Sequence, residues 1–285
     1  GTYCLTAYDK AGHKTTVWVA IDKTSPVITG VENGKYYRTD VTATITDKFL
    51  VKVLVNDIEQ TGIITTGTNN EGRELVLNFK EEGTYTIVAV DKVGNETTVT
   101  FTIDKTKPVI TGVEDGKYYN TDVTPVISDV NFKNATLKRN GTHIKSYKPG
   151  DVITEEGTYT LVATDLAMNK TKLITFVIDK TAPKPVSTTY NPTTPTNGSV
   201  EVTIRVNEKL LPVEGWTLSE DGMAISRVFE ENVNGNVTIS DLAGNKVVRY
   251  YSIKNIDKEP PKPVSTTYNP TTPTNGSVEV TIRVN

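Results

Sequence analysis

Four aspartates recur at equivalent places in this sequence and are its best candidates for chemistry. Asp91 and Asp165 precede a tight turn, whereas Asp104 and Asp179 open the segment that ends the same stretch. If Asp91 met Asp104, and Asp165 met Asp179, at a boundary between domains, their carboxylates would offer the oxygen ligands that calcium prefers. Calcium takes roughly six to eight oxygens, more than the acidic residues available there. Capping of the turn amides is therefore the favoured interpretation, with calcium as the alternative.

No other residue pattern indicates catalysis. The sequence contains no nucleophile spaced with a base as in a known enzyme family, no glycine-rich phosphate loop and no cluster of cysteines or histidines. The two histidines, His13 and His143, occupy unrelated positions in the sequence. We therefore predict that the chain is not an enzyme and needs no catalytic cofactor.

The aspartates stand in a recurring stretch that predicts two strands joined by a tight turn. Residues 83–108 read GTYTIVAVDKVGNETTVTFTIDKTKP, and related stretches begin at Gly1, Gly157 and Gly235. Before and after the turn, polar and apolar residues alternate with the period of two that is typical of half-buried strands.

The turn of this stretch needs residues with positive φ. The pairs Gly94–Asn95 and Gly244–Asn245 are predicted to supply them. Met168 stands where the other copies have glycine, so the sequence predicts a strained positive φ at this methionine.

The spacing of the stretch predicts tandem domains. Its closing aspartate returns about every 80 residues, a period typical of repeated domains. The chain is thus predicted to be all-β, with a first repeat at 25–106, a second at 107–181 and a third, of another subtype, at 182–258. An N-terminal segment, 1–24, and a C-terminal segment, 259–285, match only the last and the first strands of such a repeat. We expect both segments to be poorly packed.

Charge and composition exclude several classes of partner. The net charge is −3 and both signs are scattered along the chain, so nucleic acid is not an expected partner. A single cysteine, Cys4, excludes an internal disulfide framework. No apolar run approaches the roughly 18 residues that cross a bilayer, so membrane insertion is not expected in this segment.

Several aromatic residues allow either a packing or a binding role. Tyr36–Tyr37 and Tyr118–Tyr119 open the first two repeats, and Trp18 lies on a predicted strand of the N-terminal segment. We favour packing, with one ring of each tyrosine pair in its own domain and the other at the junction with the preceding repeat. The alternative is a platform on which a glycan stacks. Trp216 is predicted to be the core tryptophan of an immunoglobulin-type sandwich.

The order of the motifs GTYT, DKVGN or DLAGN, and FTIDKTKP or FVIDKTAP resembles the bacterial immunoglobulin-like (Big-type) domains repeated in surface proteins of Gram-positive bacteria. This resemblance covers the whole chain and implies a seven-stranded β-sandwich for each repeat, arranged end to end. It also implies that Tyr85 and Tyr159 are tyrosine corners, whose hydroxyl bonds an upstream backbone group. The third repeat departs from this pattern with Gly235. A lysine–asparagine isopeptide crosslink occurs in some such sandwiches, but no position for one stands out here.

The resemblance and the lack of catalytic patterns predict a structural role. The expected function is a non-catalytic spacer or stalk in a large secreted or cell-wall-attached protein of a Gram-positive bacterium, with the neighbouring domains of the same chain as its partners. Two alternatives stay open. One is an adhesin module that binds a host glycan or matrix protein, and the other is the accessory tail of a secreted carbohydrate-active enzyme.

Overall fold

The computed structural model describes residues 1–66 and 72–285. All regular secondary structure in these two ranges is β-strand, in agreement with the predicted all-β class. Within the same ranges, no helix of the length and apolar character needed to cross a membrane is found. The chain divides into two compact units: residues 1–115, 124–152 and 159–175 form the first, and residues 116–123, 153–158 and 176–285 form the second.

The strands follow one another along the chain without intervening helices. The N-terminal segment and first repeat contain β1 (Thr2–Tyr8), β2 (Lys14–Ala20), β3 (Val27–Thr29), β4 (Tyr36–Tyr37), β5 (Val41–Asp47), β6 (Leu50–Val55), β7 (Ile58–Glu59), β8 (Ile64–Thr66), β9 (Gly72–Phe79), β10 (Gly83–Asp91) and β11 (Glu96–Ile103). The second repeat contains β12 (Val109–Thr111), β13 (Tyr118–Tyr119), β14 (Val126–Ser128), β15 (Phe132–Arg139), β16 (Thr142–His143), β17 (Gly157–Asp165) and β18 (Ile174–Ile178). The third repeat and C-terminal segment contain β19 (Pro185–Asn191), β20 (Val200–Val206), β21 (Thr217–Leu218), β22 (Ala224–Phe229), β23 (Asn234–Ser240), β24 (Lys246–Ser252), β25 (Pro263–Asn269) and β26 (Glu279–Val284).

The first repeat is a two-layer sandwich within the first unit. One sheet has the order β3-β5-β9-β8 and the other the order β4-β11-β10-β6-β7. Alternate residues of both sheets point into one core, because side chains along a strand alternate between its two faces. The buried core consists of Val31, Ala43, Ile45, Leu50, Val53, Leu75, Phe79, Ile87, Ala89, Phe101 and Ile103. The two-residue strands β4 and β7, at the edges of the larger sheet, raise the strand number above the seven that the resemblance implied.

The second repeat reproduces several of the strand pairings of the first, although the counterpart of its four-stranded sheet has only two strands. In the first unit, β12 pairs with β14, and β15 pairs with β16 and β17, all antiparallel. In the second unit, β13 pairs in parallel with β18, just as β4 pairs in parallel with β11 in the first repeat. The repeated opening and closing motifs of the sequence therefore form equivalent strands.

The third repeat lies in the second unit and has its own core. Its sheets are β19-β20-β22-β21 and the hairpin β23-β24. The buried core consists of Val200, Val202, Ile204, Val206, Leu210, Ile225, Val237, Ile239, Ile253 and Ile256. Because β20 alternates valine and isoleucine with polar residues, its apolar face turns inward along its whole length.

The two partial segments are two-stranded hairpins whose strand residues are all exposed. β1 pairs only with β2, and β25 only with β26, among the described residues. Residues 261–285 repeat residues 183–207 without a difference, yet Ile204 is fully buried and its copy Ile282 is 58% exposed. The poor packing predicted for both segments is confirmed.

Candidate functional site

The turn between β10 and β11 is closed by the side chain of its first aspartate. One carboxylate oxygen of Asp91 accepts hydrogen bonds from the backbone N–H groups of Val93 and Asn95, at 2.9 and 2.8 Å. The other oxygen accepts one from the side-chain amide of Asn95 at 2.7 Å. Burial alone would raise the pKa of Asp91, but these hydrogen bonds outweigh burial and hold the pKa below its usual value.

The same turn recurs in the other copies of the stretch. Asp165 accepts from the backbone and side-chain amides of Asn169, both at 2.8 Å, and Asp241 accepts from those of Asn245, both at 2.9 Å. In the N-terminal segment the asparagine is replaced by His13, whose backbone N–H donates to Asp9 at 2.9 Å and whose Nδ1 lies 2.7 Å from Asp9 Oδ2. Each aspartate therefore caps its own turn.

The residue before the asparagine, or before His13, adopts a positive φ in every copy. That residue is Gly12, Gly94, Met168 or Gly244, with φ values of 89°, 91°, 68° and 88°. The strained backbone predicted for Met168 is confirmed. Asn95 and Asn245 do not have positive φ, so the prediction that glycine and asparagine both supply it was wrong for the asparagines. Since the backbone does not require asparagine here, its side chain must explain its recurrence.

The asparagine side chain also bonds the linker that precedes its repeat. Asn95 Nδ2 lies 3.4 Å from the carbonyl oxygen of Asp22 and 3.2 Å from that of Thr24. The equivalent Asn169 donates to the carbonyl of Asp104 at 2.8 Å, and Asn245 to that of Asp179 at 2.8 Å. One amide thus joins the turn of a repeat to the end of the preceding one.

A cluster of three carboxylates lies at each of three junctions. Each cluster contains the turn aspartate of one repeat, the aspartate of the preceding linker and an acidic residue at the end of another strand. Within a cluster, one ligand atom of each residue lies within 4.8 Å of the others. The clusters are Asp22, Asp47 and Asp91; Asp104, Asp129 and Asp165; and Asp179, Glu208 and Asp241. Five of these residues were not predicted from the sequence, namely Asp22, Asp47, Asp129, Glu208 and Asp241. A signal was present, since Asp47 and Asp129 close the repeated segments VTATITD and VTPVISD.

The prediction that Asp91 meets Asp104, and that Asp165 meets Asp179, was wrong. In the hairpin β10–β11, Gly83 pairs with Ile103 and Val90 with Glu96, so Asp91 and Asp104 lie at opposite ends of one hairpin. At about 3.3 Å per residue, that separates them by more than 20 Å. Asp165 and Asp179 are likewise in different clusters. Each linker aspartate instead meets the turn aspartate of the next repeat.

Burial and neighbouring carboxylates raise the pKa of one member in two of the three clusters. Burial, together with the charges of Asp179 and Asp241, raises the pKa of Glu208 to about 7. Burial also raises the pKa of Asp129, with smaller contributions from Asp104 and Asp165. Three carboxylates are the donor type that calcium prefers, but they fill only part of a shell of roughly six to eight oxygens. In the middle cluster both oxygens of Asp104 already accept hydrogen bonds, from Thr106 N–H and Asn131 Nδ2.

The D-K-T motif at the end of the first repeat ties the linker to its own repeat. Lys105 Nζ donates to Asp40 Oδ1 at 2.6 Å, and the carboxylate of Glu82 accepts from Lys105 N–H and from the Thr106 hydroxyl. The second repeat reproduces this arrangement with Lys180, Asp122, Glu156 and Thr181. Glu82 and Glu156 therefore hold the linker although both side chains are exposed.

The tyrosine pairs divide between the core and a junction. The ring of Tyr37 packs edge-on against Phe101, with ring centres 5.9 Å apart, and its hydroxyl accepts from Glu32 N–H. Tyr36 lines a cavity together with Ala167 and Met168 of the second repeat. In the second unit, Tyr118 likewise lines a cavity with Leu242 of the third repeat. The junction is thus with the following repeat, and the prediction that it lies with the preceding one was wrong.

The tyrosine corner is present in the first repeat and replaced in the third. The hydroxyl of Tyr85 donates to the carbonyl of Glu81 at 3.0 Å, and Tyr159 is 1% exposed. In the third repeat the ring of Tyr251 lies over Gly235 and packs edge-on against Trp216. Trp216 is only partly buried, at a bend before β21, and not a fully buried core residue, because it packs at the edge of the core cluster.

Comparisons with known proteins give one similar curated protein and several similar structures. No model of a known protein family matches the chain. Over 76 residues, 27% of this chain, it is 46% identical to the Outer cell wall protein of Brevibacillus brevis (strain 47 / JCM 6285 / NBRC 100599). The match spans only 8% of that protein.

Several of the similar solved structures are of tandem Ig or fibronectin(III)-like domains. One is the N-terminal eight Ig domains of Down Syndrome Cell Adhesion Molecule, with 14% identity and a TM-score of 0.29 over 89% of this chain and 46% of that chain. Another is the Sidekick-1 immunoglobulin domains 1-5, with 13% identity and a TM-score of 0.35 over 88% of this chain and 65% of that chain. The fibronectin(III)-like modules of Clostridium thermocellum CbhA are also similar, with 17% identity and a TM-score of 0.29 over 54% of this chain and 92% of that chain. Such TM-scores support no statement about function.

Proposed function

We propose that this chain is a non-catalytic spacer segment of a secreted or cell-wall-attached surface protein of a Gram-positive bacterium. The observation that carries the proposal is the threefold recurrence of one junction, in which the turn aspartate and asparagine of a repeat meet the preceding linker. A binding or catalytic site needs to be built only once, whereas a spacer needs the same joint at every boundary. The local similarity to an outer cell wall protein supports a location at the cell surface.

The composition of the linkers supports the same proposal. Proline follows the D-K-T motif at Pro108 and Pro183 after one further residue, and proline stiffens short linkers. Lys105 and Lys180 tie these linkers back to the repeat they leave. A joint that is bonded to both of its neighbours resists bending better than a free linker does.

Small-angle X-ray scattering on the full chain tests the spacer role. At about 3.3 Å per strand residue, and with end loops added, each complete repeat would contribute roughly 35–45 Å, so three would span somewhat more than 100 Å. We expect a rod-like particle of at least this length. A globular particle with a much smaller maximum dimension would overturn the proposal.

The adhesin alternative is tested separately on glycan and matrix-protein arrays. We expect no specific retention of the full chain. If the chain is retained, the variants Tyr36→Ala and Tyr118→Ala show whether the junction ring of each pair is responsible, with Tyr8→Ala as a control because Tyr8 is 66% exposed and has no adjacent tyrosine. Retention that Tyr36→Ala and Tyr118→Ala abolish would replace the spacer proposal by a binding role.

A further inference from the structure

We propose that the asparagine ending each turn is a clamp that holds the preceding linker and thereby limits bending between consecutive repeats. The clamp residues are Asn95, Asn169 and Asn245. The proposal concerns only how one repeat is held against the linker before it. It therefore holds whether the chain serves as a spacer or binds a ligand.

The chemistry of the side-chain amide fits this role. An asparagine amide carries two N–H donors on one nitrogen. In Asn169, that nitrogen lies 2.8 Å from Asp165 Oδ2 on the turn and 2.8 Å from the carbonyl oxygen of Asp104 on the linker. One rigid planar group therefore spans from the second repeat to the chain that leaves the first.

The hydrogen bond from Asn169 to the Asp104 carbonyl is largely shielded from water. Asn169 is only 8% exposed and Asp104 only 6%, so water has little access to replace a lost partner. A hydrogen bond in such a site is hard to exchange for one with solvent. Bending at this linker would have to break it, together with the bond from Asn131 Nδ2 to the Asp104 carboxylate.

The N-terminal segment shows that the turn does not itself require asparagine. There His13 closes the turn on Asp9 through its backbone N–H and Nδ1, with the same geometry as the asparagine copies. When Nδ1 of a histidine contacts the turn carboxylate, that nitrogen has no second N–H, and Nε2 points in a different direction. A histidine can therefore preserve the turn while lacking the second donor that reaches the linker.

This comparison supplies the decisive variants. We suggest Asn169→Ala, which removes the clamp and keeps the backbone N–H bond to Asp165, and Asn169→His, which copies the turn of the N-terminal segment. The matched control is Asn78→Ala, which removes a side-chain hydrogen bond to Thr42 within the first repeat and touches no linker. Melting followed by circular dichroism checks that each variant is folded.

The readout is the distribution of distances across the junction, measured by pulsed dipolar spectroscopy on the full chain. Spin labels are attached at Val51→Cys and Val152→Cys, both exposed positions, after Cys4→Ser removes the native thiol. We expect the distribution to broaden in both Asn169 variants and to keep its parent width in Asn78→Ala. Unchanged widths in folded Asn169 variants would overturn the clamp.

The test can be repeated at the other two junctions if an Asn169 variant does not fold. The same substitutions at Asn95 or Asn245, with labels on either side of the junction concerned, ask the same question. Broadening there would support the clamp, and unchanged widths would refute it. A positive result on the glycan or matrix-protein arrays would count against the spacer proposal alone.

Discussion

The ring of Tyr251 occupies the space that a side chain at Gly235 would need. A β-carbon built at Gly235 would lie 2.5 Å from the Tyr251 hydroxyl oxygen and 2.6 Å from its ring carbon Cζ. Gly235 stands where the other copies of the stretch have Tyr3, Tyr85 and Tyr159. The third repeat therefore holds this corner with a tyrosine from the partner strand β24, which covers the glycine and packs on Trp216 and Phe229.

Gly235→Ala should destabilise the third repeat by about 1–3 kcal/mol, the usual effect of forcing an extra carbon into a packed site. Urea unfolding followed by tryptophan fluorescence measures it, because Trp216 reports on this corner. Gly198→Ala is the control, since its β-carbon would meet nothing closer than 3.5 Å. Equal stability of the two variants would show that Tyr251 moves aside freely.

Met168→Gly should stabilise the second repeat by about 1 kcal/mol, because glycine adopts positive φ without strain. The substitution gives up the contact between Lys133 Nζ and Met168 Sδ, which is weak and exposed. Thermal melting measures the change, with Met168→Ala as the control that removes the side chain but keeps the strain. A melting temperature that is unchanged or lower in Met168→Gly would contradict the strain argument.

Glu208→Gln should stabilise the third repeat at pH 8 and have little effect at pH 4. The pKa of Glu208 is about 7 in the folded chain, against 4.5 for an ordinary glutamate, so the folded state holds its proton more tightly. The resulting stabilisation is complete below about pH 4.5 and is lost as the pH rises to about 7. The measurement is the melting temperature of parent and variant from pH 4 to 8, in the presence of chelator. Because both proteins contain the same histidines, the difference between them reports on Glu208.

A difference that does not change with pH would contradict a raised pKa of Glu208, whether burial or the charges of Asp179 and Asp241 raise it. Repeating the melts of the parent chain with millimolar calcium tests the metal alternative on the same cluster. A melting temperature that neither calcium nor excess chelator changes would leave turn capping as the role of these aspartates.

The sequence predicted the local structure well because that structure depends on neighbouring residues. Alternation of apolar and polar residues located β10, β11 and β20, and the glycine copies of the turn revealed the strain at Met168. The same reasoning failed for the carboxylate clusters. Asn95 and Asp22, which meet at the first junction, are 73 residues apart, and no periodicity within a strand indicates which end of one hairpin faces the next repeat.

The role of the turn asparagine was missed for a related reason. Asparagine after glycine is typical of turns with positive φ, so the pattern already had a sufficient local explanation. Only the three-dimensional contact of Asn169 with Asp104 shows that the side chain acts on the linker. The prediction for Trp216 was wrong for a similar reason. Its place in the sequence suggested a core residue, but it lies at the edge of the core beside Tyr251 and Phe229.

The two identical copies of one hairpin give the sharpest test of how far sequence alone determines packing. Residues 183–207 and 261–285 have the same sequence and therefore the same intrinsic rates of amide exchange. In the third repeat β20 is buried between β19 and β22, whereas β26 pairs only with β25. An isolated two-stranded hairpin is marginally stable in water. We expect the amides of 279–284 to exchange much faster than those of the identical residues 201–206.

Hydrogen exchange measured by mass spectrometry on the full chain can separate the copies despite their identity. Peptides that continue past residue 207 differ in mass from those that end at residue 285, so each copy gives its own signal. Equal protection of the two copies would mean that another surface covers the valine and isoleucine face of β26. Protection that then rises with protein concentration would identify that surface as a second copy of the chain, and protection independent of concentration would place it within the same chain.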